Sequence, residues 1–209
     1  MRIQIWGAKN SGKSTLFNKL VGKRISTVSS RPDSTRKPIS HPWENLLLID
    51  SPKVEEADRY LFISSCRSSL YQLFFTGKPV DCFDSELTPA AVTNSNPFAK
   101  TQQTTVEEYL SSTTSKSTTQ YRGPSVESVA VQRCYEHCFN MYDSYIPYSI
   151  DITAQVEDIL TLTVKTFKKG QAGIICGHRG ERVRKLQDAV REDLAESNLP
   201  VFVKIGGVQ

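Results

Sequence analysis

Residues 7–14 read Gly-Ala-Lys-Asn-Ser-Gly-Lys-Ser, a full match to the spacing G-x-x-x-x-G-K-S. Glycines at those positions let the backbone curl until successive N–H groups converge on one anion, so the chemistry is phosphate binding. The candidate nucleotide-binding set is Gly7, Asn10, Ser11, Gly12, Lys13, Ser14 and Thr15. Lys13 would reach the β and γ oxygens of a nucleoside triphosphate, and the Ser14 hydroxyl would hold magnesium. A plain Gly-Ser turn before a helix is the simpler alternative, but a strand precedes this segment and a helix follows it. Asp50 ends a short apolar run in Asp50-Ser51-Pro52, where a carboxylate would hold magnesium through water. Thr35, between the two, could join Ser14 and Asp50 by sensing the γ-phosphate; Ser34 is the second candidate.

A second constellation, Gly177-His178-Arg179-Gly180, lies between two helical patterns. Two glycines in such a turn let a nucleic-acid backbone approach the main chain, where Arg179 and helix N–H groups meet phosphates. Ile174 and Ile175 before the turn and Val183 after it would floor a groove. Lys168, Lys169, Arg182 and Lys185 would add salt-dependent attraction. Between residues 165 and 193, eight Lys or Arg stand against four acids.

These residues need elements to hold them. Residues 2–6 alternate as a strand, and Leu16, Phe17, Leu20 and Val21 give residues 15–21 a helical face that Gly22 can stop. Residues 31–38 are loop by composition. Residues 46–49 suit a buried parallel strand, and 60–63 form another. From 93 to 120, 18 of 28 residues are Ser, Thr, Asn or Gln, too polar to offset the entropy of ordering, so a linker is expected there. Ser125 is placed to cap a helix running to about Tyr142. Strands at 148–155 and 159–167, a short helix at 171–176, a longer one at 181–197 and a strand at 201–205 complete the order α-β-β-α-turn-α-β. The division expected is 1–92, 93–120 and 121–209.

Composition sets wider limits. The 209 residues carry a net charge of +4, which alone specifies no partner. Five scattered cysteines argue against a disulfide framework and for a reducing compartment. Cys134, His137 and Cys138 share one helical face and invite a zinc reading, but no second pair follows at finger-like spacing, and buried helical cysteines often only pack. No run approaches the roughly 20 apolar residues of a membrane helix. Met1 leads straight into a strand, so neither a signal peptide nor a mitochondrial presequence is expected.

Both constellations, in this order, resemble the Era family of ribosome-assembly GTPases. Residues 12–23 with Ile25-Ser26 are similar to the family's first loop and helix, and Arg31-Pro32-Asp33-Ser34-Thr35-Arg36 to its first switch. A second block of resemblance runs from about Ser125 to residues 169–177, and within it Tyr145-Ile146-Pro147-Tyr148 is similar to the entry to the family's KH sheet. Val106–Leu110 and Tyr121 resemble the segment that leads into the KH domain in mitochondrial relatives. The resemblance implies an α/β P-loop NTPase-like N-terminal part with a truncated parallel sheet, followed by an α+β KH type II domain. It further implies GTP and Mg2+ as ligands, the 3′ end of small-subunit rRNA and the small ribosomal subunit as partners, and GTP hydrolysis. Peripheral association with the inner membrane and a mitochondrial matrix location (alternatively cytoplasmic) follow on the same ground.

The chain departs from the family pattern in its middle. Lys53 stands where the family's second switch has a glycine, and no Asn-Lys-x-Asp follows; Lys78-Pro79-Val80-Asp81 has the wrong spacing. A parallel sheet shortened in this way is expected to expose an apolar edge. Two further readings stay open beside the GTPase: a non-enzymatic KH or ribosomal protein with a relic G domain, and an incomplete gene model of a complete Era protein.

Overall fold

The computed structural model describes residues 1–64, the backbone of 72–76, and residues 120–143, 145–168 and 170–206. Most of the expected linker, Val106–Leu110 and Lys169 lie outside the described residues. The chain forms two compact units: Met1–Arg24 with Lys37–Gly123, and Ile25–Arg36 with Pro124–Gln209.

The first unit is a five-stranded sheet in the order β2 (Ile39–Trp43), β3 (Leu46–Asp50), β1 (Arg2–Gly7), β4 (Arg59–Ser64), β5 (Gln72–Thr76). Strand β1 (Arg2–Gly7) pairs in parallel with β3 (Leu46–Asp50) on one side and with β4 (Arg59–Ser64) on the other. Their apolar runs bury Ile3, Ile5, Leu48, Leu61 and Ile63 almost completely, each contributing roughly 1.5–3 kcal/mol. Helix α1 (Lys13–Val21) packs on β1, β2 and β3 and buries Phe17 and Leu20. Gly22 ends it in the left-handed conformation, as its position after Val21 predicts.

Sequence reasoning missed two strands. Strand β2 (Ile39–Trp43) runs antiparallel to β3, and Pro42 within it disguises it; as an edge strand it tolerates the missing N–H. Strand β5 (Gln72–Thr76) runs antiparallel to β4. The exposed parallel edge expected of a truncated sheet is therefore corrected at β4, because β5 occupies it. Residues 51–58 make the crossover from β3 to β4 without a helix, tied to β1 instead. Gln4, wholly buried, donates through Nε2 to the Lys53 carbonyl (2.6 Å) and accepts at Oε1 from the Glu55 N–H (2.9 Å). The Asp58 N–H donates to the Arg2 carbonyl (3.0 Å).

The second unit has the expected element order. Helix α2 (Val126–Met141), capped by the Ser125 hydroxyl accepting from the Ser128 N–H, leads to β6 (Ile150–Val156), β7 (Leu160–Thr166), α3 (Gln171–Cys176), α4 (Glu181–Asp193) and β8 (Val201–Gly206). Strand β6 begins later than expected because Pro147–Ser149 forms a 3-10 turn, and α4 stops at Asp193, short of the expected Ser197. The sheet order is β6-β7-β8, antiparallel and then parallel. Its core joins Tyr135, Phe139, Ile146, Ile152, Leu162, Leu186 and Val190.

Candidate functional sites

In the first unit, β1 delivers the chain at Gly7 beside β4, with Gly7 in register with Ile63. The approach is so close that a Cβ on Gly7 would sit 2.4 Å from the Ile63 carbonyl oxygen and 3.0 Å from Ser11 Oγ. Gly7 has φ 155°, Asn10 φ 58° and Gly12 φ 86°, so the segment turns through backbone conformations that glycine adopts most readily. The Ser11 N–H donates to the Ala8 carbonyl (3.2 Å), and α1 then starts with no side-chain cap. The N-cap residue is Gly12, which has no side chain to compete with an anion for the first N–H groups of the helix. Lys13 Nζ donates to the Gly7 (3.0 Å) and Ala8 (2.7 Å) carbonyls, which holds the ammonium over the curl. Ser11 Oγ is buried with no hydrogen-bond partner among the described residues.

Ser14 stands in the first turn of α1. Asp50 ends β3 opposite Ile5 and is fully buried. A hydroxyl and a carboxylate are oxygen donors that suit a hard cation such as magnesium. Thr35, the third expected ligand, belongs to Ile25–Arg36 in the other unit, so neither unit by itself brings it to Ser14. The Lys53 N–H, standing where the resemblance expects a glycine amide, donates to Ser51 Oγ (3.2 Å), and Ser51 Oγ donates to Glu55 Oε1 (2.9 Å). Sequence reasoning did not single out Gln4, which organises this crossover; a lone amide among isoleucines in a buried strand was its signal.

In the second unit, Gly177 (φ 72°, ψ −179°) and Gly180 (φ 79°) bracket Arg179, itself left-handed at φ 51°. A Cβ on Gly177 would lie 2.7 Å from Arg182 Cγ. The Gly177 N–H donates to the Gly173 carbonyl (2.9 Å) and the Gly180 N–H to the Gly177 carbonyl (3.3 Å). Below the turn, the buried Tyr142 hydroxyl donates to the Ile175 carbonyl (3.1 Å) and anchors the end of α3. Burial, then the neighbouring Cys138 and Cys134 thiols, raise the Tyr142 phenol well above its usual range.

His178, Arg179, Arg182 and Lys168 are exposed. Arg182 donates to the Ile174 carbonyl (3.4 Å) and Arg184 to the Arg179 carbonyl (2.9 Å), so two guanidinium groups brace the turn they flank. Lys185 pairs with Glu181 at 2.7 Å, and that hydrogen bond holds the exposed Glu181 carboxyl below its usual value. Ile174 is 36% exposed, but Ile175 is 0% exposed and sits in the core. The expectation that Ile175 lines a groove is corrected: it has no surface to offer. His137 hydrogen-bonds Asp193 (2.9 Å), and Cys134 and Cys138 are buried beside it on α2.

Residues 2–75 match a protein-family model described as 50S ribosome-binding GTPase. GTPase Era of Xylella fastidiosa (strain Temecula1) is 40% identical over 63 residues, 28% of this chain and 21% of that protein. GTPase Der of Clostridium kluyveri is 42% identical over 69 residues, 31% of this chain and 16% of its own length. The matched stretch thus spans about a fifth or less of these curated relatives. Over the whole chain the likeness is structural. A crystal structure of Aquifex aeolicus Era bound to GDP and aluminium fluoride superposes with a TM-score of 0.68 at 15% identity, covering 99% of this chain and 92% of that one. The fold is that of Era. A second Era structure, in complex with MgGDPNP and nucleotides 1506–1542 of 16S ribosomal RNA, superposes at 0.65 with the same identity and coverage.

Proposed function

We propose that this chain is an Era-type GTP-binding and rRNA-binding protein of small-subunit assembly, with its second unit acting as a KH type II domain. One observation carries the reading: a phosphate loop that excludes any side chain at Gly7 and a Gly-x-x-Gly turn braced by Arg182 and Arg184 occur together on the Era fold. Lys13 leaves the Gly7 and Ala8 carbonyls for the β and γ oxygens of the nucleotide, while the first N–H groups of α1 take the α and β phosphates. Ser14 and Asp50 would hold magnesium, whose charge offsets that of the phosphate oxygens. Thr35 is the further ligand proposed from the first switch. His178 and Arg179 meet RNA phosphates at the turn, with the exposed Lys168 beside it. The resemblance to mitochondrial relatives supports a matrix location.

The test is titration of the purified chain with labelled GTP, with magnesium and with chelator, beside titration of an oligonucleotide matching the 3′ end of small-subunit rRNA. Micromolar GTP binding lost in Lys13→Ala, and RNA binding lost in a Gly177→Asp, Gly180→Asp double variant, are the expected results. RNA affinity unchanged by the double variant would remove the KH assignment. One observation favours the reading without hydrolysis: the Lys53 N–H is already engaged by Ser51 Oγ. A chain that binds GTP but turns it over no faster than buffer would support it.

A further inference from the structure

We propose that the phosphate loop is a base-blind site, which takes nucleoside triphosphates by their phosphates and does not select guanine. The inference rests on the phosphate-binding reading above and narrows its ligand class.

In an open α/β sheet, ligands lie outside the carboxyl ends of the parallel strands, because the loops that leave those ends converge there. Here the carboxyl ends of β1, β3 and β4 lie at one edge of the sheet. Gly7 pairs with Ile63, and Asp50 with Ile5. The phosphates occupy the centre of this edge, at the loop after β1, so the base must be read by a loop to one side.

On the β3 side, the chain leaving Asp50 is committed elsewhere. The Lys53 carbonyl accepts from Gln4, the Glu55 N–H donates to Gln4, and Ser51 Oγ bonds the Lys53 N–H and Glu55. Beyond that lies β2, antiparallel and entering as a hairpin. On the β4 side, the position a further parallel strand would fill is taken by β5, which runs the opposite way. Gln72 lies opposite Ser64, at the phosphate-loop edge, and Thr76 lies opposite Tyr60. The carboxyl end of β5 is therefore about 14 Å from that edge, four steps of roughly 3.4 Å. Thr76 itself therefore stands at the end of the sheet away from the phosphate loop. Among the described residues no other strand pairs with β4 on this side.

The sequence agrees with the topology. It contains no Asn-Lys-x-Asp, and its nearest approach, Lys78-Pro79-Val80-Asp81, follows the carboxyl end of β5 rather than a strand that reaches the site. Strong discrimination between purines needs protein groups that are left unpaired by the wrong base edge. Among the described residues, neither flank of this loop supplies them. The phosphate contacts through Lys13, Ser14 and the N–H groups of α1 are the same for every nucleoside triphosphate.

The test uses the full chain with magnesium, titrated with GTP, with ATP and with inorganic tripolyphosphate. The expected result is GTP and ATP dissociation constants within about fivefold of each other. Tripolyphosphate should compete with both, and Lys13→Ala should lose all three. A GTP preference above about fivefold would overturn the inference and leave the phosphate loop standing. Failure of all three to bind would overturn the phosphate-loop reading and the inference with it.

Discussion

At the scale of single residues, two glycines with unusual backbone angles differ in what surrounds them, and that difference sets the effect of the same substitution. At Gly7 the added methyl meets a backbone carbonyl, Ile63 O, at 2.4 Å, and the strand that carries this oxygen cannot retreat without breaking its pairing. Gly7→Ala should destabilise the first unit by about 1–3 kcal/mol and remove nucleotide binding. At Gly177 the added methyl meets the base of the Arg182 side chain, Cγ at 2.7 Å and Cβ at 2.9 Å; Cγ can rotate away and Cβ needs a small shift of its helix, which adds to a positive-φ backbone strain of roughly 1–3 kcal/mol. Gly177→Ala should fold and bind nucleotide normally, yet lose RNA affinity, because Arg182 gives up its bond to the Ile174 carbonyl. Thermal melting beside RNA and nucleotide titration separates the two, and an RNA affinity equal to wild type in Gly177→Ala would refute the role given to that brace.

At the scale of elements, Ile25–Arg36 belongs to the second unit through particular hydrogen bonds. The Thr27 hydroxyl, with one proton to give, lies within hydrogen-bond reach of Gln132 Oε1 (2.6 Å) and the Gln132 carbonyl (2.8 Å), all buried. The Val28 N–H donates to Glu136 Oε2 (3.3 Å), and Arg31 donates to the Tyr142 carbonyl (3.0 Å). Glu136 also accepts from Arg133 at 2.8 Å, with both side chains almost fully buried. Removing Glu136 leaves the buried Arg133 guanidinium with a weaker pairing to Asp193 at 3.9 Å, so Glu136→Ala should cost about 3 kcal/mol. Replacing both, as Arg133→Met with Glu136→Leu, should recover most of that loss, and urea unfolding of the three proteins checks it. Little of this segment's packing was legible beforehand, because residues 31–38 read as loop and hydrogen bonds across more than a hundred residues leave no periodic trace. What was legible had local causes: the Ser125 cap, the alternation of Leu160, Leu162 and Val164, and the glycine signatures of both turns. Strand β2 was hidden by Pro42. Strand β5 was hidden because its direction depends on pairing with β4 rather than on its own residues.

At the scale of the whole molecule, the core of the second unit concentrates groups that must stay protonated. Cys138 is held well above the ordinary thiol range by its hydrogen bond with Cys134 and then by burial. Tyr135 is raised by burial and by the Asp151 carboxylate, and Tyr142 by burial and its thiol neighbours. Each folded-state value lies above the unfolded one, so the unfolded chain releases these protons first as the pH rises. Their stabilisation is complete below the ordinary thiol value of about 8.5 and is lost progressively above it, first through Cys138 and then, beyond about pH 10, through the two tyrosines. Each group should lower stability by up to about 1.4 kcal/mol per pH unit in its window. Unfolding followed by circular dichroism should therefore show a midpoint nearly constant from pH 7 to 8 and falling steeply above about pH 9. Cys138→Ala should be less stable at neutral pH, through the small cavity it leaves, yet show a shallower decline near pH 9 because one of the protons is gone. An unchanged slope in that variant would show that the buried thiol pair does not control the alkaline limit of this fold.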